Sequence, residues 1–265
     1  DFLDATARRA DGTGVWLDPA RRTPGVADAG GRTRRTFRIE DLSPSWEFVL
    51  TVAQEVPATG AKLAPAFPRS RLPQGVEGQW VSIRGEVVEC AVWWGPLARF
   101  PGRTARVIGR AASTHAGPTE AVVTEADADP APGVVAGLGE VGEWLYETDP
   151  AVRLAGLTGA VTRAVGGAEL DGGLGYVTGG TASDLSFARR YRIVEAMPFS
   201  PKDVRTWLRR QGVTGVTLKK RGVDVDEAAL RRQLKVGTGA GAGAQATILL
   251  TRVAGRRCVL VLDPE

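Results

Sequence analysis

Histidine is nearly absent from this 265-residue chain: His115 is the only one, in a stretch rich in Ser, Thr, Ala, Gly and Pro. A histidine-based triad or zinc site needs partners that the sequence does not supply, so His115 reads as a loop residue and no metal is expected. Cysteine is scarce too. Cys90 and Cys258 both fall inside apolar, strand-like runs, "VVECAVWW" and "RRCVLVLD". Two thiols placed in this way argue against a disulfide scaffold and point to a reducing compartment, the cytoplasm. No run of 18 apolar residues occurs, so no membrane span is expected. A basic-then-apolar leader is missing, as is any GxxxxGK[ST] phosphate loop, which excludes P-loop phosphoryl transfer.

What is present is globular. Apolar residues make up 43% and charged residues 24% of the chain, enough for two domains each with its own core. The net charge of +4 hides a lopsided distribution. Residues 113–186 hold 11 acidic and 2 basic side chains, whereas residues 187–265 hold 16 basic and 7 acidic ones. A concentrated basic segment is the footprint of a polyanion partner. It also fits a basic domain docked on the acidic middle of the same chain, and both readings stand at this point.

Strand and helix alternate over the first hundred residues. "GVWLDPARR" (14–22) reads as a buried strand, Gly14 to Leu17, running into a polar tip. "LSPSWEFVLTVAQEVP" reads as a helix with Ser43 as cap, Pro44 opening it and Trp46, Val49, Leu50 and Ala53 on one face. "GAKLAPAF" is a short strand, and "QWVSIRGEVVECAVWWG" is a hairpin about Arg84-Gly85. Together these make the trailing half of a doubly wound sheet. Residues 101–148 read as a linker and connecting segment that includes one strand, "RTARVIGRA". "DPAVRLAGLTGAVTRAVGG" reads as a single helix, capped by Asp149, opened by Pro150 and closed by Gly166. From Phe187 the order is β-α-β-α-β-β, one sheet with helices on a single face. The domains expected are therefore 1–100, a linker at 101–148, and a basic α/β domain at 149–265.

Three features carry candidate chemistry. "GTGAGAGAQ" (237–245) follows a helix and precedes a strand, the reverse of a nucleotide fingerprint, and reads as a flexible connection. "LKKRGVDVD" places Lys219, Lys220 and Arg221 at a strand end, with Arg205, Arg209 and Arg210 on the helix before and Arg231 and Arg232 on the helix after. Such clusters contact phosphate without reading sequence, so these eight cations are candidate nucleic-acid contacts, and single runs of this kind also occur as solvated helix faces. Asp18 stands at a strand tip with Pro19 behind it, and the proline restricts its backbone to extended geometry. Its carboxylate is placed either to accept hydrogen bonds from an amino group or merely to cap a turn.

"WLDPARR", "SPSWEFVLTVAQEVPATGAKLAP", "VVECAVWWGPLAR", "GEWLYETDPAVRLAG", "FARRYRIVEAMPFSPKDVRTWLRRQGV" and "LKKRGVDVDEAALRRQLK" together resemble bacterial class I SAM-dependent methyltransferases with a C-terminal THUMP-like domain. The resemblance implies an α/β chain: the C-terminal half of a Rossmann-like methyltransferase sheet followed by the THUMP-like domain. It implies a cofactor, S-adenosylmethionine, for the full-length protein, and RNA as substrate. "DPAR" takes the place of the family's Asn/Asp-Pro-Pro-aromatic motif, with Asp18 and Pro19 matching it and Ala20 and Arg21 departing from it. Asp18, Pro19, Ala20 and Arg21 are thus the candidate catalytic residues, and Asp18 the candidate cofactor contact. The family's glycine-rich cofactor loop has no counterpart ahead of Asp18, so the chain is expected to be an inactive rear fragment of a longer enzyme. The strand at Val15–Leu17 is then expected at a sheet edge, with poor order before about residue 40 or pairing with a second chain. The alternative is a non-catalytic RNA-binding module.

Overall fold

The computed structural model describes residues 14–20, 39–109, 119–238 and 244–263. His115, Arg21, most of the glycine-rich 237–245 stretch, and residues 1–13 and 21–38 of the stretch on which poor order was expected lie outside them. The chain divides into two compact units, Asp1–Asp127 with Pro150–Leu157 and Ala128–Asp149 with Thr158–Glu265.

In the first unit, β1 (Val15–Leu17) is followed by α1 (Trp46–Glu55), β2 (Thr59–Leu63), β3 (Glu77–Ile83), β4 (Glu86–Trp93), β5 (Gly102–Ile108) and β6 (Glu120–Thr124). They form one sheet in the order β1-β2-β4-β3-β5-β6. β1 and β2 are parallel, as a strand–helix–strand crossover requires, and β4 enters antiparallel between β2 and β3. The β3–β4 turn uses Arg84 and Gly85, both at positive φ (55° and 82°), the geometry of a two-residue hairpin. Among the described residues β1 pairs on one side alone, so the expected edge position is what is seen.

α1 starts two residues later than the sequence predicts. Ser45, not Ser43, is the cap, and its hydroxyl accepts from Phe48 N–H at 3.2 Å. Ser43 is committed elsewhere: its backbone exchanges two hydrogen bonds with Ala20, just past β1. The helix buries Trp46, Val49 and Val52. Trp46 packs on Phe67 and Trp94, with ring centroids 5.1 Å and 6.0 Å away. Cys90 sits fully buried beside this core, and burial pushes its thiol pKa up, leaving it an inert thiol.

The second unit contains β7 (Trp144–Thr148), and the next element, α2 (Pro150–Ala155), belongs to the first unit. The single helix expected over 150–165 is therefore two, α2 and α3 (Gly159–Val165). Gly156 breaks it at φ 73°, and Arg103 Nη1 donates to the freed carbonyls of Ala155 and Gly156 at 3.3 Å and 3.5 Å. Glu125 anchors that arginine at 2.6 Å. The stretch expected as a linker carries β5, β6 and β7.

The chain continues through β8 (Ala168–Glu169), β9 (Tyr176–Gly179), β10 (Ala188–Pro198), α4 (Pro201–Arg210), β11 (Val213–Lys220), α5 (Glu227–Leu234), β12 (Gly237–Thr238), β13 (Ala244–Val253) and β14 (Arg256–Asp263). These build an eight-stranded sheet ordered β12-β11-β13-β14-β10-β7-β9-β8. One face buries Ile248, Leu250, Val259 and Val261 under Val204 and Leu208 of α4 and Leu230 and Leu234 of α5. The other gathers Leu145, Tyr176, Tyr191, Leu249 and Leu260 with Leu170. α4 has the cap expected, Ser200, with Pro201 at its first position. β7, β8 and β9 at one side, and the two-residue β12 at the other, extend the sheet beyond the six-element pattern read from the sequence.

Candidate functional site

The tip of β1 brings Asp18 beside Lys62 of β2, with 3.4 Å between carboxylate and ammonium. The register explains the meeting. Trp16 lies opposite Gly60 and Leu17 opposite Ala61, so one further residue faces Asp18 to Lys62 across a parallel pair. Lys62 was missed in the sequence, although a lone lysine in an apolar strand is a signal. Two residues back on the same face, Trp16 and Trp93 close over Gly60, ring centroids 5.1 Å apart. A Cβ at Gly60 would come within 2.7 Å of Trp16 and 2.8 Å of Trp93, so only glycine leaves room for both rings. Trp16 is 50% exposed, Pro19 is buried and Ala20 exposed. The site thus combines an accessible carboxylate, a cation and an indole surface at the carboxyl end of a parallel strand pair, where open α/β sheets place their ligands.

The eight candidate RNA contacts are not one patch. β10, β13 and β11 all run the same way, since β14 pairs antiparallel with both β10 and β13 while β13 pairs parallel with β11. α4 and α5 each run back between such strands, and both end near the beginning of β11. α4 stops three residues before Val213, and α5 leads to Gly237, which pairs with Gly215. Arg209 and Arg210 are therefore at one end of the sheet, and Arg232 is in the last turn of the short α5, near enough to its cap Asp226 to act on that carboxylate's charge. Lys219, Lys220 and Arg221 are at the other end of the sheet, about 20 Å away at ~3.3 Å per strand residue. Arg205 lies within α4, half-buried, and Arg231 donates to the carbonyl of Val216 at 2.8 Å.

At the β11 tip the cations are already engaged. Lys219 Nζ donates to Glu147 Oε2 at 2.6 Å and to the Tyr191 hydroxyl at 2.7 Å. Arg221 donates to Glu147 Oε1 at 3.0 Å and to the carbonyl of Leu174 at 3.2 Å, and its guanidinium stacks 4.5 Å from the Tyr176 ring centre. Tyr191 OH donates to Glu147 Oε2 at 3.0 Å, and Lys219 Nζ lies 4.6 Å from the ring centre of Tyr191. Lys220 donates to the carbonyl of Val225 at 2.9 Å.

β7 and β11 are four strand steps apart, about 19 Å in a flat sheet at ~4.8 Å per step, more than the two side chains together can bridge. The sheet must curl, and Glu147 ties its concave face. Burial alone would raise the Glu147 pKa, but the hydrogen bond and charge of Lys219, then Arg221 and Tyr191, hold it below the usual carboxylate range. Burial likewise disfavours the charged Lys219, yet Glu147 and Tyr191 carry its pKa upward. Tyr176 and Tyr191 are raised, chiefly by burial. Glu147 was missed in the sequence because 72 residues separate it from Lys219; its one visible trace is an acid at an inward position of the alternating strand "WLYET".

Among the described residues no group of three or more His, Cys, Asp or Glu could hold a metal, and no helix is long and apolar enough to cross a membrane.

Comparison with known proteins agrees with the resemblance read from the sequence. Residues 188–264 match the family described as "THUMP domain-like", a span that runs from the start of β10 to the end of β14. Uncharacterized S-adenosylmethionine-dependent methyltransferases of Mycobacterium tuberculosis, from strains CDC 1551 / Oshkosh and ATCC 25618 / H37Rv, are 27% identical over 225 residues, 84% of this chain and 56% of theirs. The chain thus spans little more than half the length of these relatives. A solved structure from Porphyromonas gingivalis W83, whose description proposes a methyltransferase, shares the fold at TM-score 0.69 and 21% identity, over 98% of this chain and 61% of that one.

These names raise the question of a cofactor. At the carboxyl end of β1 the described residues supply an exposed, lysine-paired carboxylate and one face of an indole. By themselves they do not fit S-adenosylmethionine. What they offer a ligand is a hydrogen-bond acceptor, a cation and a stacking surface.

Proposed function

We propose that this chain is the rear part of a cytoplasmic S-adenosylmethionine-dependent RNA methyltransferase, with the acceptor side of the reaction centre at Asp18 and an RNA-holding basic domain in the second unit. The observation that carries the reading is the likeness to named S-adenosylmethionine-dependent methyltransferases along 84% of the chain, joined to a THUMP-like match over its basic end. The cofactor loop belongs to sequence outside this chain, and the relatives' greater length leaves room for it. Asp18 orients the methyl acceptor by accepting its hydrogen bond, aimed by the buried Pro19. Ala20 and Arg21 follow it in the sequence and complete the candidate motif. The basic second unit contributes phosphate contacts, which fix position without reading bases.

The experiment is a titration of S-adenosylmethionine into this chain and into a version extended through its upstream coding sequence, followed by transfer of labelled methyl to cellular RNA. Binding and transfer by the extended protein alone are expected. Binding by neither version removes the reading. The second reading, a non-catalytic RNA-binding module, is favoured by the basic, THUMP-like-matching end of the chain, and predicts RNA binding by both versions with methyl transfer by neither.

A further inference from the structure

We infer that the second unit meets the phosphate backbone of RNA at the shared end of α4 and α5, through Arg209, Arg210, Arg232 and Lys235, and not at the tip of β11. The inference rests on the RNA-binding reading above and says where on the unit the contact lies.

Three observations carry it. The first is topology: both helices end beside the start of β11, so their last turns bring four cations to one place. All four side chains are exposed, and among the described residues no carboxylate forms an ion pair with any of them at salt-bridge distance. Cations do complement the negative end of a helix dipole, but that effect reaches only the last turn of each helix and does not call for two helices to pool theirs.

The second is the company these cations keep. Residues 209–217, 231–238 and 244–247, which make up this end, contain no Asp or Glu, and Asp226 at the far end of α5 feels the charge of Arg232 without forming an ion pair with it. Their polar members, including Gln211, Gln233, Gln245 and Thr214, are neutral groups that hydrogen-bond phosphate or ribose without repelling either. The β11 tip is the opposite. Glu147 lies against Lys219 and Arg221, and Glu227 stands 3.8 Å from Lys220.

The third is the cost of using the tip. A phosphate can recruit Lys219 and Arg221 only by taking them from Glu147, whose side chain is 17% exposed. That exchange leaves a buried carboxylate without its partners and opposes binding. The tip cations are spent on the fold; the helix-end cations are not.

The test uses the whole chain and a fluorescein-labelled 20-nucleotide single-stranded RNA, with affinity measured across a salt series. The fourfold variant R209A/R210A/R232A/K235A should bind at least about 30-fold more weakly near 100 mM salt, and its log K against log salt should flatten by ~2–3 units, at about 0.7 per lost phosphate contact. The tip variant K220A, which leaves the Glu147 network intact, should bind within about twofold of the parent chain. A helix-end variant that binds as the parent does, or a K220A variant that loses as much as it does, overturns the placement while leaving RNA binding standing. If the parent chain binds no RNA at all, the functional reading itself fails. Equal competition by polyglutamate would assign the same surface to an acidic protein and overturn the choice of RNA. Circular dichroism of each variant identifies a loss that comes from unfolding, and the paired R209Q/R210Q variant then repeats the measurement with little change of shape.

Discussion

Asp18–Lys62 in the first unit and Glu147–Lys219 in the second are the same chemical pair in opposite circumstances. The Asp18 and Lys62 side chains are 53% and 34% exposed and meet at 3.4 Å. Those of Glu147 and Lys219 are 17% and 30% exposed and meet at 2.6 Å, with a guanidinium and two tyrosines around them. Water screens the first pair, so either partner can be given up at little cost and the carboxylate remains available to a ligand. The second has traded its water for fixed partners, and removing one strands the rest. Availability, then, is decided by what lies around a charge and not by which residue bears it. The same contrast separates the β11 tip from the ends of α4 and α5.

The comparison breaks first, if it breaks, at Glu147. Glu147→Gln should destabilise the second unit by about 3 kcal/mol, the low end for breaking a buried pair because both cations keep some contact with water. Urea unfolding followed by circular dichroism measures this. The effect depends on pH with a definite sign. The folded-state pKa of Glu147 is depressed below 4.5, so its contribution is present above that value and is lost as pH falls through the lowered one. The substitution should therefore flatten the acid limb of the stability profile, and equal stability of variant and parent at pH 7 would undo the contrast between the two pairs.

A smaller effect is expected at Gly60. Gly60→Ala puts a Cβ against Trp16 and Trp93 and should cost about 1 kcal/mol, since overpacking is eased by a half-exposed ring that can shift. A changed tryptophan emission in the folded state, with a lower urea midpoint, is the expected signature. Smallest of all in stability is Asp18→Asn, within about 0.5 kcal/mol of the parent chain. In the extended protein the same change should lower methyl transfer about a hundredfold through lost orientation and leave RNA affinity unchanged. A loss of stability without loss of transfer would make Asp18 a turn cap.

Much of the fold was legible along the chain. The hairpin at Arg84-Gly85, the cap at Ser200 and the β-α-β-α-β-β order after Phe187 are local signals, each written within a few residues. The α1 cap misled because Ser43 and Ser45 are equally good caps in isolation, and what separates them is a backbone bridge to Ala20, distant in sequence. The split between α2 and α3 was hidden for a similar reason. Gly156 is tolerable inside a helix until Arg69 and Arg103 crowd the space where its Cβ would be. β7, β8 and β9 are short, and their strand character comes from neighbours rather than from their own composition.

At the candidate site, sequence placed Asp18 at a strand tip and tertiary structure supplied Lys62 and the paired indoles. With the basic residues the division is sharper. Their number, sign and clustering are properties of the chain, because charge is carried by residue type alone. Which of them face water and which are held by Glu147 is settled only when a curled sheet brings together strands some seventy residues apart, since an ion pair depends on distance in space and not on distance along the backbone.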